Sequence, residues 1–235
     1  MDSFLKNYKN IIYKSVPKKH LNIVYDYVCF VELCLKLANH KKISEPVKIK
    51  KFDLLYRQIF KNCALKNNLI YRLQNAFIAE NISLSLLSDM INVIKPKVSQ
   101  NFFENITFYN NYQQNFASNL ARFIMVLNDL TPSVYIPLVS AVLCSIILDE
   151  AATSNISSER IIGLLKDAKL LPLIVKNKVF RFKAWCFIEA LEILTLKHSK
   201  KLKLKISKLD LIKIFTCASF KWLFVKVKTL KSRGI

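Results

Sequence analysis

The chain has 235 residues, of which 52% are hydrophobic, carries a formal net charge of +21 and contains only two glycines. An apolar share of that size excludes a disordered chain, because a core can be buried. The scarcity of glycine excludes hairpin-rich β-architectures, which need positive-φ turn positions, and also the Gly-rich loops that cradle phosphates in P-loop and dinucleotide-binding proteins.

The opening stretch "MDSFLKNYKNIIYKS" has neither the apolar core of a signal peptide nor the Arg/Ser-rich composition of a transit segment. The expectation is a cytoplasmic chain, with peripheral residence on the inner face of a membrane as the other option. "SVPKK" at 15–19 marks a turn, and from Leu21 onward Val24, Val28, Val31 and Leu35 recur at helical spacing. "ISEP" at 43–46 ends that helix: Pro46 cannot continue it but fits the first turn of the next, which carries Asp53, Tyr56 and Arg57. "KPKVS" at 95–99, "TPS" at 131–133, "TSNISSE" at 153–159 and "LLPL" at 170–173 punctuate the remainder. Between these marks the spacing predicts about eight or nine helices in one all-α domain over residues 1–235.

The uncharged span from Leu130 to Leu148 contains Pro132, Pro137, three serines and a threonine. It predicts a buried bundle helix rather than a membrane span. In the final helix Leu211, Phe215, Ala218, Trp222 and Val225 form a stripe expected to pack on the core, with Lys213, Lys221 and Lys228 off it. On the preceding helix Glu189 and Glu192 form an i,i+3 acid pair, read as a solvated edge.

The positive charge points to a polyanionic partner: nucleic acid, anionic lipid or a diphosphate. The coding bias of an A+T-rich genome would give the same Lys-rich composition, and both explanations stand. Between Thr195 and Ile235 twelve Lys/Arg face one acid, Asp210. Lys200, Lys201, Lys203 and Lys205, in "KHSKKLKLKISK", are therefore candidates for contact with an anionic membrane surface. Basic and aromatic residues do not interleave as in a recognisable RNA or DNA module, which makes nucleic acid the least favoured partner. The six cysteines form no CxxC and mostly sit in apolar runs such as "AVLCSIIL". They predict buried thiols in a reducing compartment rather than a zinc site or disulfide framework. His20, His40 and His198 are too scattered to suggest a metal site, and no nucleophile elbow or kinase signature occurs.

"VYDYVCFVELCLKLANHKKISEPVKIKKFDLLYRQI", Val24 to Ile59, resembles the squalene/phytoene synthase family. It is most similar to the branch with non-catalytic members, which includes a mitochondrial assembly factor for respiratory complex I. "VYDYVCFVELCLKL" stands for that branch's first helix, "ISEP" for its turn, and "IKKFDLLYRQI" for the helix that follows, with Arg57 as its arginine and Tyr56 for an aromatic partner. The similarity continues through "NAFIAENISLSLLSDMINVIKPKV", "ITFYNNYQQNFASNLARFIMVL" and "ISKLDLIKIFTCASFKWLF".

The resemblance implies an isoprenoid synthase type of helical bundle around a central cavity. In catalytic members two aspartate-rich motifs face each other across that cavity and hold Mg²⁺, which neutralises the departing diphosphate. Here "CFVELCLKL" matches the first motif with Glu32 at its first aspartate, Leu33 at its second and Lys36 at its last, while Cys29 replaces an arginine. "SIILDEAAT" matches the second: Asp149 remains, Leu148 replaces an arginine and Thr153 an aspartate. A lysine at a cation-ligand position inverts the local electrostatics.

The expectation is thus a pseudoenzyme acting as a binding or assembly module. Its candidate cavity residues are Glu32, Lys36, Asp53, Tyr56, Arg57 and Asp149, and its candidate partners are an anionic membrane surface, an isoprenoid or lipid ligand, or a protein client. No cofactor is expected. Under the alternative, an active prenyltransferase condensing isoprenyl diphosphates, Mg²⁺ is required, with Glu32 and Asp149 as its weak candidate ligands. A basic helical nucleic-acid-binding protein is the third option.

Overall fold

A computed structural model of the chain describes residues 16–60, 69–99, 102, 105–151, 158–200, 204 and 206–231, with the backbone alone for 149–151 and 222–231. Among the described residues the chain is helical and has no strands. It divides into two compact units, one spanning Val16–Leu127 and one beginning at Asn128.

The first unit opens with a 3₁₀ turn, Lys18–His20, leading into α1 (Leu21–Ala38). Val24, Tyr27, Val28, Val31, Cys34 and Leu35 are buried along α1, so the expected apolar stripe holds from Val24 onward, with Leu21 at its exposed start. The last carbonyls of α1 find side-chain donors: Asn39 Nδ2 donates to Leu35 O at 2.8 Å and Lys48 Nζ to Ala38 O at 2.9 Å. These bonds satisfy groups that a helix leaves without intrahelical partners.

Helix α2 (Glu45–Phe60) starts at the Ser-Glu-Pro turn and buries Phe52 and Ile59. Its terminal carbonyls accept from one amide: Gln74 Nε2, on α3 (Leu69–Ala79), lies 3.0 Å from Gln58 O and 2.8 Å from Ile59 O. Asparagine does the work of the missing glycines at the end of α3. Asn81 adopts φ 54° while Ile82 N donates to Phe77 O at 2.7 Å and Asn81 N to Ile78 O at 3.2 Å. Those two bonds form a Schellman closure with asparagine in the left-handed position. Asp129, with φ 50°, takes a similar conformation. Helix α4 (Ser85–Ile94), the 3₁₀ turn Lys95–Val98 and α5 (Ile106–Leu127) complete the unit. Asn105 caps α5 by accepting from Thr107 N and Phe108 N at 3.0 and 3.2 Å.

The middle of this unit is aromatic. The Tyr27 and Phe123 rings stack with centroids 3.9 Å apart, and Phe77 lies 5.9 Å from Phe123. The Tyr27 hydroxyl donates to Asn119 Oδ1 at 2.5 Å, and Asn119 Nδ2 donates to Leu86 O at 3.1 Å. One polar chain therefore links α1, α5 and α4 through the core. Outside it, Arg72 forks onto both oxygens of Asp26, at 2.7 and 3.1 Å, and Arg122 Nη1 meets Asp89 Oδ2 at 3.2 Å.

In the second unit a 3₁₀ turn, Pro132–Val134, precedes α6 (Tyr135–Ala151). It takes up most of the uncharged span of the sequence and runs on through Asp149 and Glu150, and Ala141, Val142, Leu143, Cys144 and Ile147 are buried along it. Among the described residues no helix is long and apolar enough to cross a membrane. Helices α7 (Ser158–Ala168), α8 (Leu171–Ile174), α9 (Lys178–Ser199) and α10 (Lys208–Lys231) follow, with α6 packed on α7, α9 on α6, α7 and α8, and α10 on α9. "LLPL" forms the short helix α8, with Pro172 in its first turn. Asn177 caps α9 by accepting from Val179 N and Phe180 N.

The buried chain in the first unit makes a direct stability prediction. Asn119→Ala leaves the Tyr27 hydroxyl and the Leu86 carbonyl buried without their amide, so urea unfolding is expected to show a loss of about 2–4 kcal/mol. Tyr27→Phe removes one bond, keeps the stacked ring and is expected to cost about 1–2 kcal/mol. Equal, negligible effects of both substitutions would show that the core does not depend on this chain.

Candidate functional site

The candidate cavity residues of the first unit lie on α1 and α2, and three of them, Glu32, Lys36 and Asp53, are taken up in two separate ion pairs. Lys36 Nζ lies 3.9 Å from Glu32 Oε2, one turn away on α1, with Lys36 mostly exposed and Glu32 mostly buried. Asp53 meets Lys95 Nζ at 2.6 Å, joining α2 to the 3₁₀ turn after α4. Tyr56 is exposed and its ring tilts against that of Phe60, centroids 5.5 Å apart. Arg57 is exposed in the last turn of α2, where a cation complements the negative end of the helix dipole. Asp149 belongs to α6 in the second unit, and its side chain lies outside the described residues. Among the described residues no group of three or more His, Cys, Asp or Glu side chains converges as a metal site.

The first unit does contain a cleft of about 380 Å³, between α4, the Lys95–Val98 turn and the start of α5. Phe102, Phe108 and Tyr112 supply its rings, and Asn92, Asn111 and Asn115 supply amides. Lys97 Nζ sits 4.7 Å from the centre of the Tyr112 ring. Such a lining can stack on and hydrogen-bond a ligand, and the described residues in it include no carboxylate. Sequence spacing did not single it out, because its aromatics and asparagines read as ordinary helix and loop residues until α4 and α5 pack together.

The cysteines differ among themselves. Cys34 and Cys144 are buried free thiols, each pushed up to about 12 by that burial, as expected from their apolar runs. Cys29, Cys186 and Cys217 are free but only half-buried, so the expectation of buried thiols holds in part. Cys63 lies outside the described residues.

Two readings of the second unit need correction. Glu189 is buried rather than on a solvated edge: it pairs with Lys221, whose Nζ also lies 5.3 Å from the centre of the Trp185 ring. The α9–α10 contact brings a lysine of one helix to an acid of the other, and the i,i+3 spacing within α9 carries no sign of that. Glu192 is partly exposed and pairs with Lys169 at 2.7 Å. The second correction concerns α10. Ala218 of the expected core stripe is buried, but Leu211 and Phe215 are exposed, and Ile214 is buried instead. The side chains of Trp222 and Val225 lie outside the described residues. The core-facing line of α10 is rotated because Lys221 must reach Glu189.

Of the lysines proposed for a membrane surface, Lys200 is the exposed residue closing α9, while Lys201, Lys203 and Lys205 lie outside the described residues. Downstream, Ser207 and Asp210 cap α10 reciprocally. Ser207 N and Oγ each donate to Asp210 Oδ2 at 2.7 Å, and Asp210 N donates to Ser207 Oγ at 3.2 Å. Lys197 Nζ adds a 2.5 Å contact from α9. The lone acid of the basic C-terminal region is thus structural.

Family models, curated proteins and solved structures were compared with the chain, and none matches it.

The Asp210 cap predicts a pH dependence. Hydrogen bonds from Lys197 and Ser207 hold its carboxyl well below the usual carboxylate range. A group with a depressed folded pKa contributes stability above its ordinary value, near 4, and that contribution is lost as pH falls toward the folded value. At low ionic strength the melting temperature of the wild type is expected to fall more between pH 7 and pH 3 than that of Asp210→Asn. Parallel curves would show that the cap adds no pH-dependent stability.

Proposed function

We propose that this chain is a non-catalytic protein of the squalene/phytoene synthase kind, a helical binding or assembly module that works at an anionic membrane surface. The observation that carries this reading is the Glu32–Lys36 pair on α1. In the resemblance these two positions are the first and last carboxylates of a magnesium motif. Lysine one turn from Glu32 supplies the positive charge that a metal ion would otherwise bring, so the acid is balanced without a cation-bound diphosphate.

The stacked Tyr27, Phe77 and Phe123 rings support the same reading, because they fill the space beside α1 with packed side chains. The rings of the α4–α5 cleft suit an apolar chain such as that of an isoprenoid or lipid, with asparagine amides available to a polar end. The cations concentrated after Thr195 suit an anionic surface. The isoprenoid synthase bundle with a central cavity is the fold type that accompanies this reading.

The test is turnover. Incubated with farnesyl or geranylgeranyl diphosphate and Mg²⁺, the purified protein is expected to release no diphosphate above background. Release that Glu32→Ala or Asp149→Ala abolishes would make the chain an active prenyltransferase and overturn the pseudoenzyme reading.

A further inference from the structure

The outward side of α10 carries several large apolar side chains. Leu209 is 78% exposed, Ile212 64%, Phe215 56% and Phe220 69%, whereas Ile214 and Ala218 are buried. At about 100° per residue these four exposed side chains share one sector of about 140° and extend over about 16 Å of helix, on the side away from Ile214 and Ala218. Lys208 and Lys213, both exposed, stand within the sector and at its edge. Scattered surface leucines are ordinary, but four large apolar side chains in one sector of a helix, with only Thr216 and Ser219 among them as small polar residues, make an amphipathic contact face.

The occupant must suit the charge as well as the apolar face. From Thr195 to Ile235 there are twelve Lys/Arg and one acid, and Lys197 already holds that acid. A second copy of this chain would set like charges against one another, which costs affinity. The surface of an anionic bilayer meets both requirements: phosphates accept the lysines, and an amphipathic helix lying in the plane buries its apolar side about 5–10 Å into the headgroup and acyl boundary.

We propose that the Leu209–Ile212–Phe215–Phe220 face of α10 docks on anionic lipid bilayers, with Lys208 and Lys213 at the phosphate layer. This rests on the membrane reading above and moves the main anchor from the lysine tract at 200–205 to the helix face. A bilayer contact made only by the tract would be electrostatic and lost in salt. One made by α10 retains an apolar component at high salt.

The experiment is co-sedimentation of the full chain with phosphatidylcholine vesicles, with and without phosphatidylserine, at low and high salt. It compares the wild type, Ile212→Ser with Phe215→Ser, Ile212→Leu with Phe215→Leu, and Lys200, Lys201, Lys203 and Lys205 all replaced by Gln. The expected result is wild-type binding to phosphatidylserine vesicles that the serine variant lowers by roughly tenfold or more. The leucine variant should bind as the wild type does, and all variants should keep wild-type circular dichroism and melting. A wild type that stays in the supernatant with phosphatidylserine vesicles overturns the membrane reading and the inference with it. Undiminished binding by the serine variant, with release of the glutamine variant, leaves the membrane reading intact and overturns the α10 anchor. A wild-type dimer in sedimentation velocity that the serine variant dissolves assigns the face to a second copy and also overturns it.

Discussion

The hydrogen bond from Tyr27 to Asn119 is the constraint on which the first unit depends. Both residues are buried, so each polar atom must be satisfied inside the protein or its desolvation goes uncompensated. Tyr27 can reach Asn119 only if α1 and α5 hold one register, and Asn119 can reach the Leu86 carbonyl only if the start of α4 is also in place. The stacked Phe123 and Phe77 rings then fix the depth of α3 against the same centre. Apolar packing alone tolerates slippage by a turn, whereas a buried donor with one reachable acceptor does not. Burial also raises the Tyr27 pKa above its ordinary value, which favours the neutral hydroxyl that donates to Asn119.

The charge composition imposes the second constraint. With 37 Lys and Arg against 16 Asp and Glu, acids are the scarce partner. Many of them are held in structural pairs that connect elements: Asp26 to Arg72, Asp89 to Arg122, Asp53 to Lys95, Glu189 to Lys221, Asp210 to Lys197. Where both partners are exposed, as in Asp89 and Arg122, such a pair contributes a few tenths of a kcal/mol, so its value lies in register more than in stability. The acids in these pairs already have cationic partners, and the cations in excess give the chain its sign.

The helical class was legible in the sequence because three- and four-residue apolar spacing and the lack of glycine point the same way. The breaks at "SVPKK", "ISEP", "KPKVS" and "TPS" all mark real element boundaries. At each of them proline or a short polar residue acts locally, and local chemistry can be read from neighbours. What escaped the sequence depends on partners far along the chain. Glu189 is buried because Lys221 lies 32 residues away on the next helix. Gln74 is drawn inward because the end of α2 needs a donor. Glu32 and Lys36 were singled out only as motif positions, although their i,i+4 spacing on α1 is what brings them into contact. The cleft between α4 and α5 was not, since its walls come from separate elements.

Helix α10 shows why periodicity fails even when the helix itself is certain. Its apolar residues occur on more than one side, so several stripes can be drawn through them with equal merit. The choice between stripes is made by one polar requirement. Lys221 must reach the buried Glu189 carboxylate, and burying that acid unpaired would cost several kcal/mol. Turning Lys221 inward brings Ile214 and Ala218 to the core and turns Phe215 and Ile212 out. An ion pair thus selects which hydrophobic face the protein keeps and which it displays, and the displayed face has the exposed Lys208 within it and Lys213 at its edge. Apolar surface and positive charge come together there as a consequence of how α10 is docked.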